Sequence, residues 1–215
     1  MNTRWPARGL YAITEDEPDT QRLLARTGLV LGAGAAWLQY RNKGASVRLR
    51  EHQARALQPV CRRHGVPLII NDDWRLAAAM GADGAHLGSD DGELVAAREA
   101  LGSTALLGAS CYDDLALAQR AVAGGADYIA FGAFFPSPTK PHARRATVDL
   151  LSAAATLGVP RVAIGGITPD NVRPLLAAGA DLIAVISGVF GAADPAQATR
   201  DYLSCFDPNG HSDHE

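Results

Sequence analysis

Apolar and polar positions alternate along the chain in short blocks. Apolar runs at 9–14, 36–41, 67–71, 84–87, 105–110, 127–131, 161–165 and 182–187 are too short for helices and predict buried strands. Stretches with helical spacing separate them, at 20–31, 47–64, 73–80, 91–101, 113–123, 148–157 and 168–178, with a last one at 195–203. In 47–64 Leu49, Ala56, Leu57 and Val60 share one side and Gly65 stands at the C-cap. In 168–178 Pro169 falls in the first turn, where proline is tolerated. Strands that each lead into a helix form βα units, and βα units form a parallel sheet.

A repeat narrows the architecture. Gly34-Ala35, Gly81-Ala82, Gly125-Ala126 and Gly179-Ala180 precede the second, fourth, sixth and eighth strands. A repeat on alternate strands fits a ring of βαβα quarters better than an open sheet with unequal ends. The expected fold is α/β, a closed parallel (β/α)8 TIM barrel in a single domain, near the lower size limit of that fold. Residues 9–205 form the barrel, 1–8 an N-terminal arm and 206–215 a polar, frayed tail.

Composition removes several functions. The 215 residues are 47% apolar and 20% charged, with a net charge of −3, which leaves no electrostatic footprint for nucleic acid or an anionic membrane. Cys61, Cys111 and Cys205 are widely spaced and odd in number, as in a reducing compartment. Residues 1–8 carry no apolar signal core and no apolar run is long enough to span a bilayer, so the expected location is the cytoplasm. Oligomeric state is open, and a homo-oligomer is compatible with the sequence.

In such a barrel the chemistry lies at the C-terminal ends of the strands. After the second strand come Gln39, Arg41 and Lys43, spaced to share one face of an extended segment and suited to phosphate. Asn71, Asp72 and Asp73 follow the third strand, and Asp90 and Asp91 the fourth. These carboxylates either cap helices or meet at the mouth, where two of them with substrate phosphates would hold Mg2+. Ser110 follows the fifth strand. Residues 131–141, FGAFFPSPTKP, follow the sixth, with Ser137, Thr139 and Lys140 between three prolines that restrict the loop. Gly165-Gly166 and Ile186-Ser187-Gly188 follow the seventh and eighth strands, a usual place for a phosphate site of backbone amides. Two anionic subsites at one mouth imply two phosphorylated substrates, or one with phosphates at both ends. Trp37, Trp74 and His86 are better explained by packing.

In family order, Gln39-x-Arg41-x-Lys43, Asn71-Asp72, Gly88-x-x-Asp91, Ser110, Ser137-x-Thr139-Lys140, Gly165-Gly166-Ile167 and Ile186-Ser187 resemble the thiamin phosphate synthase family. Two departures are Ser89-Asp90 before the metal aspartate, and Tyr112 where that family has a histidine. The resemblance implies a transferase joining 4-amino-5-hydroxymethyl-2-methylpyrimidine diphosphate to hydroxyethylthiazole phosphate, with diphosphate as leaving group. It implies Asp72 and Asp91 as Mg2+ ligands. Gln39, Arg41, Lys43, Asn71, Ser110 and Lys140 would take the pyrimidine diphosphate, with Lys140, Ser110 and Arg41 acting in catalysis. Ser137, Thr139, Gly166, Ile186 and Ser187 would take the thiazole phosphate. Alternatives on the same fold are a thiazole tautomerase-like isomerase and a non-catalytic barrel that binds thiamin phosphate.

Overall fold

The computed structural model describes residues 5–88, 91–136 and 145–207. The strands are β1 (Gly9–Ile13), β2 (Trp37–Tyr40), β3 (Leu68–Asn71), β4 (Gly84–Leu87), β5 (Leu106–Tyr112), β6 (Tyr128–Phe131), β7 (Arg161–Ile164) and β8 (Leu182–Val185). They pair in parallel, each with the next, and β1 pairs with β8 through Gly9↔Leu182 to Ala12↔Val185, so the sheet closes into a barrel as the sequence predicted. The helices are α1 (Thr20–Gly32), α2 (Val47–His64), α3 (Trp74–Met80), α4 (Asp91–Leu101), α5 (Leu115–Ala123), α6 (Val148–Ala153), α7 (Arg173–Ala177), α8 (Ser187–Phe190) and α9 (Pro195–Ser204).

Closure splits the apolar residues into two cores. Successive strand residues point to opposite faces. Tyr11, Ile13, Trp37, Ile69, Leu106, Tyr128, Val162 and Leu182 therefore fill the barrel interior. Their neighbours Leu10, Leu38, Leu68, Leu107, Ile129, Ala163 and Ile183 face outward against helix residues such as Leu23, Leu57, Ala97 and Leu175.

The Gly-Ala repeat has a structural cause. All four of its glycines take positive φ (Gly34 106°, Gly81 62°, Gly125 96°, Gly179 93°), the region that ends a helix and favours glycine. In three repeats an aspartate follows. Asp83, Asp127 and Asp181 accept the backbone N–H of Leu68, Leu107 and Arg161 at 3.0, 2.8 and 2.8 Å. Each carboxylate thus ties the start of an even strand to the odd strand before it, at the barrel floor. Asp127 also pairs with Arg98, whose guanidinium donates to the carbonyls of Gly125, Gly102 and Ala105. Asp181 pairs with Arg161 at 3.2 Å. Trp37 Nε1 donates to the Pro6 carbonyl at 2.6 Å, and Trp5 packs below the interior core. Phe206, placed in the polar tail by its sequence, packs on the outer core with Arg8 over its ring at 5.4 Å.

Two elements differ from expectation. The α7 helix begins at Arg173 because Asn171 organises the segment before it: its Oδ1 accepts from the Thr168 N–H at 2.9 Å, and its Nδ2 donates to the Gly166 carbonyl at 3.0 Å. The proline in its first turn is Pro174, not Pro169. The stretch 148–157 is a short α-helix followed by a 3-10 turn, Ala154–Leu157, closed by Gly158.

Candidate active site

The expected polar groups after β2 sit at the mouth but not on one extended face. β2 ends at Tyr40. Gln39 points into the barrel and is buried. Arg41 is fixed at its backbone, where Thr14 Oγ1 accepts from the Arg41 N–H at 2.9 Å and donates to its carbonyl at 2.8 Å. Its guanidinium donates to Asp16 at 2.9 Å. Lys43 lies in the following turn, where Asp16 accepts its backbone N–H and that of Gly44, both at 3.0 Å. Asp16 therefore orients the Arg41 guanidinium and fixes the backbone that carries Lys43. In the sequence it lies in an acidic turn, Glu15-Asp16-Glu17, with nothing local to tie it to the residues after β2.

Buried amides hold these loops. Gln53 Oε1 accepts from Tyr40 OH at 2.7 Å and from Asn42 Nδ2 at 3.0 Å, while Gln53 Nε2 donates to the Glu17 carbonyl at 2.8 Å. The loop carrying Asp16 and the turn carrying Lys43 are thus tied to α2. A network whose buried members are paired holds its shape.

After β3 only one of the two aspartates is a cap. Asp73 caps α3, accepting from the Leu76 N–H at 2.9 Å. Asp72 takes φ 62°, uncommon for a residue with a side chain and typical of functional sites. Its carboxylate is exposed and faces Lys43 Nζ at 3.3 Å. The loops after β2 and β3 therefore meet at the mouth. Asn71, the last residue of β3, is half-buried beside them. Among the described residues no group of three or more His, Cys, Asp or Glu forms a metal cage. A hard carboxylate released from capping fits Mg2+, which is held by one or two carboxylates together with substrate phosphates. The Asp91 side chain lies outside the described residues, as do Ser137, Thr139 and Lys140.

The loop after β7 approaches the loop after β6 closely. Phe134 N–H donates to the Ile164 carbonyl at 3.3 Å and Phe135 N–H to that of Gly165 at 3.0 Å. A Cβ on Gly166 would stand 2.3 Å from the Pro136 carbonyl oxygen, so the loop after β6 requires glycine there. After β8, Ile186 caps α8 with no side-chain hydrogen bond, and Ser187 and Gly188 are exposed at its first turn. Backbone N–H groups at a helix start attract anions.

Below the mouth, polar side chains cross the interior. Gln39 Nε2 donates to Tyr11 OH at 2.8 Å, and the Tyr11 and Tyr128 hydroxyls are bonded at 2.8 Å. His86 Nδ1 lies 3.1 Å from Tyr128 OH and its Nε2 lies 2.9 Å from Ser110 Oγ. Burial pushes the His86 pKa down to about 4 against a weaker upward pull from Asp72, so the ring is neutral at pH 7. Burial likewise raises Tyr11 and Tyr128, which keep their protons. His86 is packed and hydrogen-bonded, as its place within a strand implied.

Closed parallel strands, helices outside, and charged groups gathered at the carboxyl ends of the strands define a (β/α)8-barrel enzyme architecture. Comparison with known proteins narrows the class. The thiamine monophosphate synthase family model matches residues 10–189. A thiamine-phosphate synthase of Xanthomonas campestris pv. campestris is 59% identical over 206 residues, covering 96% of this chain and 99% of that protein. One from Azoarcus sp. is 56% identical over 200 residues, covering 93% and 97%. The solved thiamine phosphate pyrophosphorylase from Pyrococcus furiosus superposes with a TM-score of 0.81 at 33% identity, covering 94% of this chain and 96% of that one. The chain belongs to the thiamine monophosphate synthase family.

Proposed function

We propose that this chain is a thiamin phosphate synthase, joining the pyrimidine diphosphate to the thiazole phosphate with release of diphosphate. Arg41, paired with Asp16, and Lys43, whose backbone Asp16 holds and whose amine faces Asp72, carry the reading. A fork and a point charge beside an uncapped carboxylate suit a diphosphate and its cation. Asp72 and Asp91 would hold Mg2+, which when bound offsets the negative charge of the diphosphate.

The reaction is a substitution at the methylene carbon of the pyrimidine. The C–O bond to diphosphate breaks first and leaves a cation stabilised by the aminopyrimidine ring. The thiazole nitrogen then donates its electron pair to that carbon. No strong protein base is needed. Arg41, Lys43 and Lys140 stabilise the charge growing on the leaving oxygen. Gln39, Asn71 and Ser110 hold the pyrimidine. Ser137, Thr139, Gly166, Ile186 and Ser187 hold the thiazole phosphate, with the α8 amides supplying donors. The cytoplasm is the proposed location, consistent with the absence, among the described residues, of any helix long and apolar enough to cross a membrane.

Incubation with both substrates and Mg2+ tests the reading. Thiamin phosphate should form, and none should form when the thiazole phosphate is omitted. Binding of thiamin phosphate without its formation from the two substrates would instead support a non-catalytic barrel, and turnover of the thiazole alone an isomerase.

A further inference from the structure

Five residues from five strands form one line, buried from Gln39 to His86 and half-buried at Ser110. Gln39 (β2), Tyr11 (β1), Tyr128 (β6), His86 (β4) and Ser110 (β5) are linked end to end by the contacts of 2.8, 2.8, 3.1 and 2.9 Å given above. The middle of the line is packed in place. Tyr128 stacks on His86 with ring centroids 5.5 Å apart and meets Trp37 edge-on at 4.9 Å. A Cβ on Gly108 would lie 2.0 Å from the Tyr128 ring, so the β5 backbone leaves room for a phenol that spans the interior.

Proton counting gives the line a direction. Each tyrosine hydroxyl has one proton, and a neutral imidazole has one N–H. Gln39 donates to Tyr11, so Tyr11 OH gives its own proton to Tyr128. Tyr128 OH then donates to His86 Nδ1, and His86 Nε2–H donates to Ser110 Oγ. In that order every proton within the relay has an acceptor. The two ends are then set jointly. With an amide N–H used on Tyr11, Gln39 keeps its carbonyl oxygen as an acceptor, and Ser110, accepting from His86, keeps its O–H as a donor. Reversing either end reverses every link between them.

We infer that this relay is a specificity device, with Tyr11, Tyr128 and His86 as positioning residues that couple Gln39 to Ser110. The inference rests on the proposed pyrimidine site. It favours a ring carrying an amino donor toward Gln39 and a ring-nitrogen acceptor toward Ser110. The deaminated oxo ring presents the opposite pattern, a carbonyl and an N–H. Binding it requires the whole relay to turn over or leaves buried polar groups unpaired, which is how sites built on hydrogen bonds reject near-isosteres.

The test compares kcat/KM for the aminopyrimidine diphosphate with that for its oxo analogue, in the wild-type protein and in Tyr128→Phe. Cutting the relay at its centre frees the two ends, and the amino-over-oxo ratio should fall by about ten-fold or more. A purely structural tyrosine would lower both values together, and an unchanged ratio would overturn the proposal. Tyr11→Phe cuts the next link and serves if Tyr128→Phe does not fold. A second readout does not depend on activity: nitrogen NMR of labelled histidine, with His86→Asn identifying the signals. Wild-type His86 should be the single Nε2–H tautomer, and an Nδ1–H or mixed ring would refute the relay. If neither substrate is turned over but that tautomer is found, the proposed reaction fails and the relay stands.

Discussion

The floor and the mouth of this barrel are built by different rules. At the floor one solution is repeated: a left-handed glycine ends the helix, and an aspartate ties the next strand to the one before it at Asp83, Asp127 and Asp181. At the mouth an aspartate caps the helix after each of β1, β3 and β5 (Asp19, Asp73 and Asp114), but among the described residues the groups left free to meet a ligand do not repeat. Each strand end carries a different group, and two non-glycine residues, Asp72 and Tyr112, take positive φ there. Repetition serves closure, which demands the same of each quarter. An asymmetric substrate demands something different of each strand. Changes at the floor should therefore cost stability and spare turnover, and changes at the mouth should do the reverse.

The largest expected effect is at the mouth. Lys140→Ala should lower kcat by about 10²–10³, the usual cost of losing one charge-stabilising donor, with Tm unchanged. A kcat near wild type would remove Lys140 from the charge-stabilising set.

The relay crosses between the two regions and should tie stability to pH. His86 binds a proton at about 4 in the fold against 6.5 for the free side chain. The unfolded chain takes up that proton first as pH falls. The contribution is whole above pH 6.5 and is lost as pH drops toward 4, about 3 kcal/mol across the window. Denaturant midpoints measured at several pH values should show this slope, and His86→Gln should flatten it. A slope retained by the variant would place the linkage elsewhere.

At the floor, Asp127→Ala removes the acceptor for the Leu107 N–H and leaves Arg98 without its carboxylate. Both side chains are partly exposed, so a loss of about 2 kcal/mol is expected, below that of a fully buried pair. Turnover per folded molecule should be unchanged, and a large fall in kcat would erase the contrast between the two regions. The smallest effect is expected from Asp72→Asn, which keeps a residue tolerant of positive φ and removes the charge facing Lys43. Half-saturation by Mg2+ should rise by about ten-fold, a difference near 1.4 kcal/mol. An unchanged Mg2+ titration would count against Asp72 as a ligand.

Most of the barrel was legible in the sequence because strand length and the Gly-Ala repeat are local signals. The aspartates of that repeat were not, since their partners lie on the strand before and become neighbours only when the sheet pairs. The groups at the strand ends were legible as residue types in order, while their geometry was not. Arg41 and Lys43 follow a strand that stops at Tyr40, and Asp16, which holds the Arg41 guanidinium and the Lys43 backbone, belongs to another loop. Tyr11 and Tyr128 sit inside apolar runs and count there as core. Only closure brings their hydroxyls together and turns two core positions into the centre of a polar line.

The most direct test of the account is the stoichiometry of diphosphate release. With both substrates and Mg2+ present, one diphosphate should appear for each thiamin phosphate formed, and release should depend on the thiazole phosphate. Diphosphate release at the same rate without the thiazole phosphate, or none with it, would contradict the assignment of this mouth to the coupling reaction.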